Sequence, residues 1–240
     1  MSIPTDDVAA PPIVMELAGS DEVRCVWTNE LGGLTFSAGE RFIKWGPKNL
    51  ETSMAREAER LRWAGAYVPC PEVLDTGEDW THEWLVTRAL PGRSAVDPFW
   101  IEQPEAAVRA LGRSLRFLHD SLPVESCRWQ WSAPARIRNA RERGIEVPPD
   151  FDHAPEIDRP VVCHGDPCSP NTLLLDDGSL AGFVDFGALG VADRWADIAV
   201  GALATTWNYG PGYRELFIES YGLEPDHERL DYYESLWEAT

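Results

Sequence analysis

Apolar positions in the first third of the chain fall in short strand-like runs rather than at helical spacing. Val23–Trp27, Leu34–Ser37 and Arg41–Trp45 each read as a strand. Asn29-Glu30-Leu31-Gly32-Gly33 separates the first two, a turn with adjacent glycines. Glu51–Trp63 then places Met54, Ala58 and Leu61 on one face with Gly65 just past the end, which predicts a helix. Val68-Pro69-Cys70-Pro71 forbids helix and leads to a strand at Val73–Leu74, and Trp84–Thr87 is a further strand candidate. Residues 1–12 read as a loose tail.

After Leu90-Pro91-Gly92 the spacing becomes helical. Glu105–His119 carries Val108, Leu111, Leu115 and Leu118 on one stripe, and Ser132–Arg143 predicts a second, basic helix. Val147–Pro160 is proline-rich and acidic and reads as a loop. Three short strands follow, at Val161–Cys163, Leu173–Leu175 and Phe183–Asp185. From Ala192 to Thr240 the pattern is helical in three pieces, broken near Asn208–Gly212 and Gly222–Pro225. The pattern therefore predicts an α+β chain: a β-rich N-terminal lobe with one helix over 13–90, and a larger, mainly helical lobe over 91–240.

Composition narrows the function classes. The 240 residues hold 44% hydrophobic and 25% charged residues, ordinary globular usage. Lys+Arg is 21 against Asp+Glu 40, a formal net charge of −19. That field disfavours nucleic-acid phosphates and attracts a polycationic small molecule. Only two of the basic residues are lysines, Lys44 and Lys48, so chemistry that needs a lysine must use one of them. Five scattered cysteines form no C-x-x-C pair, against a zinc site or a disulfide framework. No apolar run reaches membrane-spanning length, and the N-terminus lacks a signal-peptide pattern. A soluble, cytoplasmic protein is expected.

The sharpest chemical signal is His164-Gly165-Asp166-Pro167-Cys168-Ser169-Pro170-Asn171. This loop is too proline-rich for a helix and presents a carboxylate and an amide five residues apart. Asp185-Phe186-Gly187 follows fourteen residues after Asn171. Phosphoryl transfer requires these parts: a carboxylate to orient the attacking hydroxyl, and an amide oxygen with a second carboxylate to hold Mg²⁺ on the phosphates. Lys44 lies on a strand just after the glycine turn, and Glu57 follows thirteen residues later inside the first helix, where a carboxylate could aim the lysine. Asp193 is placed to cap a helix, and Asp197 to brace the catalytic loop.

With these stretches the sequence resembles the aminoglycoside 3′-phosphotransferases, within the protein-kinase-like small-molecule kinases. The resemblance runs from about Arg24 to the C-terminus. It is carried by 162–171, 183–187 and 190–199, with support from 68–74, Leu118-His119 and Tyr232-Tyr233. It implies a bilobal protein-kinase-like fold, with 13–90 as the nucleotide-binding lobe and 91–240 as the catalytic and substrate-binding lobe, and transfer of the γ-phosphoryl group of ATP, or GTP, to an aminoglycoside hydroxyl. By matching positions, Asp166 is the catalytic base and Asn171 and Asp185 are the Mg²⁺ ligands. Lys44 binds the nucleotide phosphates, with Glu57 as its partner and Gly32 and Gly33 over them. The backbone around Arg88 and Leu90 faces the nucleotide base.

The sequence departs from the family at substrate-facing positions. Ala188 stands where an arginine is usual, and Thr206 and Trp207 stand where two acids are usual. The chain ends Trp237-Glu238-Ala239-Thr240, of which only Glu238 and the Thr240 carboxylate match. Glu238, Trp207, Trp237 and Thr240 are the substrate-binding candidates, the indoles because their faces can hold a cation or a sugar ring. Two alternatives stand beside the aminoglycoside reading: a kinase of the same fold for another hydroxylated metabolite or antibiotic, and a nucleotide-binding pseudokinase. The expected partner is a polycationic small molecule, with no nucleic acid and no membrane, for a monomer or homodimer.

Overall fold

The computed structural model describes Pro4 and residues 8–240. Half of the loose tail expected over 1–12 lies outside the described residues, and Pro12 already opens a helix. The chain divides into two compact units. One runs to Ala66 and resumes at Cys70–Leu90; the other comprises Tyr67–Pro69 and Pro91–Thr240.

The first unit is a five-stranded antiparallel sheet with a helix on each face. In chain order it contains α1 (Pro12–Ala18), β1 (Val23–Thr28), β2 (Leu34–Ala38), β3 (Arg41–Pro47), α2 (Met54–Ala64), β4 (Val73–Glu78) and β5 (His82–Arg88), with sheet order β1-β2-β3-β5-β4. Strand side chains alternate between faces. Phe36, Ala38, Ile43 and Val86 project to one side and form a core with Val14 and Ala18 of α1. Arg41 ties that helix down, donating to the Leu17 and Ala18 carbonyls at 2.9 Å each and to Asp21 at 2.6 Å. The sequence reading allowed this unit one helix; α1 is the second. Its seven residues are too few to show a periodic stripe. The one helix predicted here, from Glu51, begins three residues late, at Met54, because the Asn49 side chain accepts from the Glu51 and Thr52 amides and Ser53 caps the helix.

The second unit contains β6 (Arg93–Ser94), α3 (Pro98–Ile101), α4 (Pro104–Ser121), α5 (Ala133–Glu142), β7 (Pro160–Cys163), β8 (Thr172–Leu174), β9 (Leu180–Phe183), β10 (Gly190–Asp193), α6 (Trp195–Tyr209), α7 (Arg214–Tyr221) and α8 (His227–Ala239). Two small antiparallel sheets, β6-β8-β9 and β7-β10, lie among the helices. Ile198, Val200, Ala202 and Ala204 of α6 are fully buried, so α6 is the spine of this unit. The helix breaks fall at Gly210 and Gly222, as the glycines indicate. One expected strand is displaced: pairing covers Leu180–Phe183 and stops before Asp185, whose backbone is left-handed.

Candidate functional site

Two constellations stand out, one in each unit. In the first, Lys44 on the central strand β3 points away from the α1 core, toward α2. Its Nζ donates to Glu57 Oε1 at 2.8 Å and Oε2 at 3.0 Å. The Glu57 carboxylate is 8% exposed and lies in the first turn of α2, where the helix dipole favours a negative charge. The ion pair fixes the end of the lysine, whose side chain is still about a quarter exposed.

The second constellation is built by two turns of the larger unit. The β8–β9 hairpin pairs Thr172 with Phe183, and Val184 donates to the Asn171 carbonyl at 3.0 Å, so Asn171 and Asp185 leave the hairpin side by side. Asn171 then turns its amide nitrogen to Asp166, donating to the backbone oxygen and to Oδ2, each at 3.0 Å. With its nitrogen committed there, the Asn171 carboxamide presents its oxygen on the other side. Gly165 lets the Asp166 loop press against the Phe186–Ala188 turn: its φ is +87°, and a Cβ there would lie 2.6 Å from the Ala188 carbonyl carbon. Asp185, at φ 65°, is the one non-glycine with positive φ among the described residues, and such strain concentrates at functional sites.

Electrostatics mark the same spot. Burial pushes the Asp166 carboxyl above its usual value; the Cys168 thiol and Asn171 amide oppose this, and the Asp185 charge adds to it. Asp166 Oδ1 is buried without a well-formed hydrogen bond. The Asp185 carboxylate and the outward Asn171 amide oxygen are hard donors suited to a divalent cation, and a cation held there would relieve the repulsion between Asp185 and Asp166. The residues present therefore fit magnesium.

Asp197 of α6 anchors the loop from below. Fully buried, it accepts from the His164 amide at 2.6 Å and the Gly165 amide at 3.0 Å, and bonds His119 Nε2 at 3.0 Å. His119 in turn bonds the Tyr221 hydroxyl at 2.9 Å. Cys163 lies beside this pair, but burial pushes its thiol well above the usual value. The Asp197 oxygens are already taken up, so the cluster is a brace rather than a metal site. Asp193, expected to cap α6, lies one residue before its N-cap position, Arg194, and accepts from the Trp195 amide at 3.0 Å. The reading of Asp197 needed its spacing from Asp193; His119 entered only as support for the resemblance, and the part of Tyr221 carries no local sequence signal.

The remaining candidates separate. The Arg88 amide donates to the Glu72 carbonyl and its side chain pairs with Glu72; Leu90 lies two residues beyond β5. Gly32 and Gly33 close the β1–β2 turn. Trp207 on α6 is 53% exposed and Glu238 is exposed. Trp237 instead packs its ring on the buried Arg136, 5.4 Å from guanidinium carbon to ring centre, and Thr240 receives Arg136 Nη2 at 2.8 Å and a bond from Arg143. Trp237 and Thr240 are thus engaged within the fold.

The profile of the phosphotransferase enzyme family matches residues 37–233. An aminoglycoside 3′-phosphotransferase of Streptomyces fradiae is 38% identical over 219 residues, 79% of this chain and 81% of that one. Among solved structures, an aminoglycoside-3′-phosphotransferase of type VIII superposes with TM-score 0.76 at 27% identity, covering 95% of this chain and 97% of its own. A Streptomyces rimosus aminoglycoside phosphotransferase solved with ADP and streptomycin gives TM-score 0.72 at 25% identity, over 93% and 94%. The fold is that of the protein-kinase-like phosphotransferases, and the chain belongs to the phosphotransferase enzyme family.

Proposed function

We propose that the protein transfers the γ-phosphoryl group of ATP to the 3′-hydroxyl of an aminoglycoside. The observation that carries this reading is the convergence of Asp166, Asn171 and Asp185 on one spot of the larger unit. The names of the relatives supply the acceptor class, and the net charge of −19 suits a polyamine.

Asp166 is the base. Its carboxylate accepts a hydrogen bond from the acceptor hydroxyl, aligns the oxygen on the γ-phosphorus and takes the proton as the O–P bond forms. Asn171 keeps that carboxylate from rotating through its bond to Oδ2. Lys44, fixed by Glu57, donates to the nucleotide phosphates and offsets the charge that develops on the leaving group. Asn171 Oδ1 and the Asp185 carboxylate would hold magnesium, which when bound neutralises phosphate charge. Glu238 and Trp207, both at the surface, are the proposed contacts to the cationic acceptor.

The test is ADP release with ATP, Mg²⁺ and kanamycin. Wild-type protein is expected to show strong kanamycin stimulation. Asp166→Ala is expected to abolish it while ATP binding, read by calorimetry, stays within about threefold. Near-native turnover by Asp166→Ala would remove the base assignment. A second reading, another hydroxylated acceptor, is favoured by the exposed indole of Trp207 where the family usually carries an acid; absence of kanamycin stimulation with intact ATP binding would select it.

A further inference from the structure

The turn between β1 and β2 is closed on itself by one side chain. Asn29 Oδ1 accepts from the Gly33 amide at 2.6 Å and the Leu31 amide at 3.0 Å. The Asn29 backbone adds two more bonds: its N–H donates to the Gly33 carbonyl at 2.9 Å, and its carbonyl accepts from the Gly32 amide at 3.3 Å. The three amides that a phosphate-cradling loop would aim at its ligand are thus already directed at Asn29.

The glycines answer to that tie. A Cβ on Gly33 would run first into the Asn29 carboxamide, at 2.5 Å from Nδ2 and 2.9 Å from Oδ1. A Cβ on Gly46 would lie 2.9 Å from Gly33 Cα. Gly46 is two residues from Lys44 on β3 and so faces the same side of the sheet. The turn therefore rests on the face that carries Lys44, with Gly46 as its floor and Gly33 pressed between that floor and Asn29.

We propose that Asn29 is a positioning residue for the nucleotide: it locks the glycine turn as a rigid cover beside Lys44, and the backbone amides of residues 31–33 serve Asn29 rather than the phosphates. Phosphate recognition in this unit then falls to the Lys44 side chain. The part concerning nucleotide rests on the function proposed above.

The test is a double-mutant cycle on the full chain: Asn29→Ala, Gly33→Ala and the pair, each read by KM for ATP, kcat, ATP affinity by calorimetry and melting temperature. Loss of the tie in Asn29→Ala is expected to raise KM for ATP about tenfold, equivalent to about 1.4 kcal/mol, with kcat within about twofold. Gly33→Ala is expected to do the same, because its methyl expels the carboxamide. The pair is expected to be no worse than either single variant, since removing Asn29 removes the clash. Additive effects in the cycle would overturn the tie. An unchanged or tighter ATP affinity in Asn29→Ala, against a wild type that binds ATP, would overturn the positioning role, because freed amides would then be turning to phosphate. If wild type binds ATP but phosphorylates no aminoglycoside, the acceptor assignment fails while the calorimetric cycle still decides this inference.

Discussion

Removing the Asp197 carboxylate tests how the catalytic loop is held. Asp197 is fully buried and meets three donors: the His164 and Gly165 amides at 2.6 and 3.0 Å and His119 Nε2 at 3.0 Å. Asp197→Ala leaves two backbone amides and an imidazole facing a cavity that water reaches poorly. Each hydrogen bond to a charged acceptor is worth about 1.5–3 kcal/mol net. Because the bonds share one acceptor, their loss is not a simple sum; three such bonds at the lower end of that range give about 3–5 kcal/mol together. For a chain of this size each kcal/mol lowers the melting temperature by about 2–4 °C, so a fall of about 10 °C is expected by calorimetric melting. The kinetic effect should be larger than the stability loss implies. Asp166 sits one residue beyond the two anchored amides, and misplacing a reacting group by 1 Å costs about 10²-fold in rate. Measured below the lowered melting point, kcat should fall by about that factor while KM for ATP stays within a few-fold. A folded Asp197→Ala protein with native kcat would refute the reasoning, because the loop would then hold its shape without its anchor.

Three further outcomes are expected. Lys44→Ala should raise KM for ATP at least tenfold and lower kcat, measured by steady-state kinetics. Lys44→Arg should not restore the native values, since the forked guanidinium replaces a compact ammonium seated on Glu57. Burial alone would raise the Asp158 carboxyl, but bonds from Arg194 at 2.6 Å and Trp195 at 2.9 Å outweigh it and hold the group below its usual value. A depressed carboxyl adds stability above its unfolded value of about 3.9 and loses it as pH falls toward the folded value; in Asp158→Asn the drop in melting temperature on acidification below about pH 5 should therefore be shallower. Finally, KM for kanamycin should rise clearly between about 50 and 500 mM salt as screening weakens attraction to the acidic surface, whereas a salt-independent KM would remove the electrostatic account of substrate capture.

What the sequence made legible follows a physical division. Strands β2 and β3 and helix α4 were readable because each buries one periodic face, α6 because it is apolar almost all round between its breaks, and the chain between Asp166 and Asp185 because its residue types are rare together. Helix α1 was not: seven residues cannot display a stripe, and it is held by Arg41 from 23 residues away. The end of β9 was also misplaced, since nothing in Phe183-Val184-Asp185 announces a left-handed aspartate. A sequence likewise does not show that Arg136, about a hundred residues before Trp237, packs against its ring. The glycine pair at 32–33 was visible as a turn, but its dependence on Asn29 is a matter of side-chain direction alone.

The left-handed backbone at Asp185 explains why the metal-ligand candidates sit on a hairpin exit rather than within a strand. In an extended strand, residues 183 and 185 would share a face, and Phe183, 1% exposed, points into the core. A regular continuation of β9 would send the Asp185 carboxylate after it. The positive φ breaks that alternation, and the chain passes at once into the Phe186–Ala188 turn. Such a conformation costs about 1–3 kcal/mol and persists only where the surroundings fix both sides. Here Phe183 donates to the Pro69 carbonyl and Val184 to that of Asn171, while fully buried Phe186 pins the far side. The strain is thus held by the core next to it, and it turns a carboxylate that would otherwise be buried toward Asn171 and Asp166.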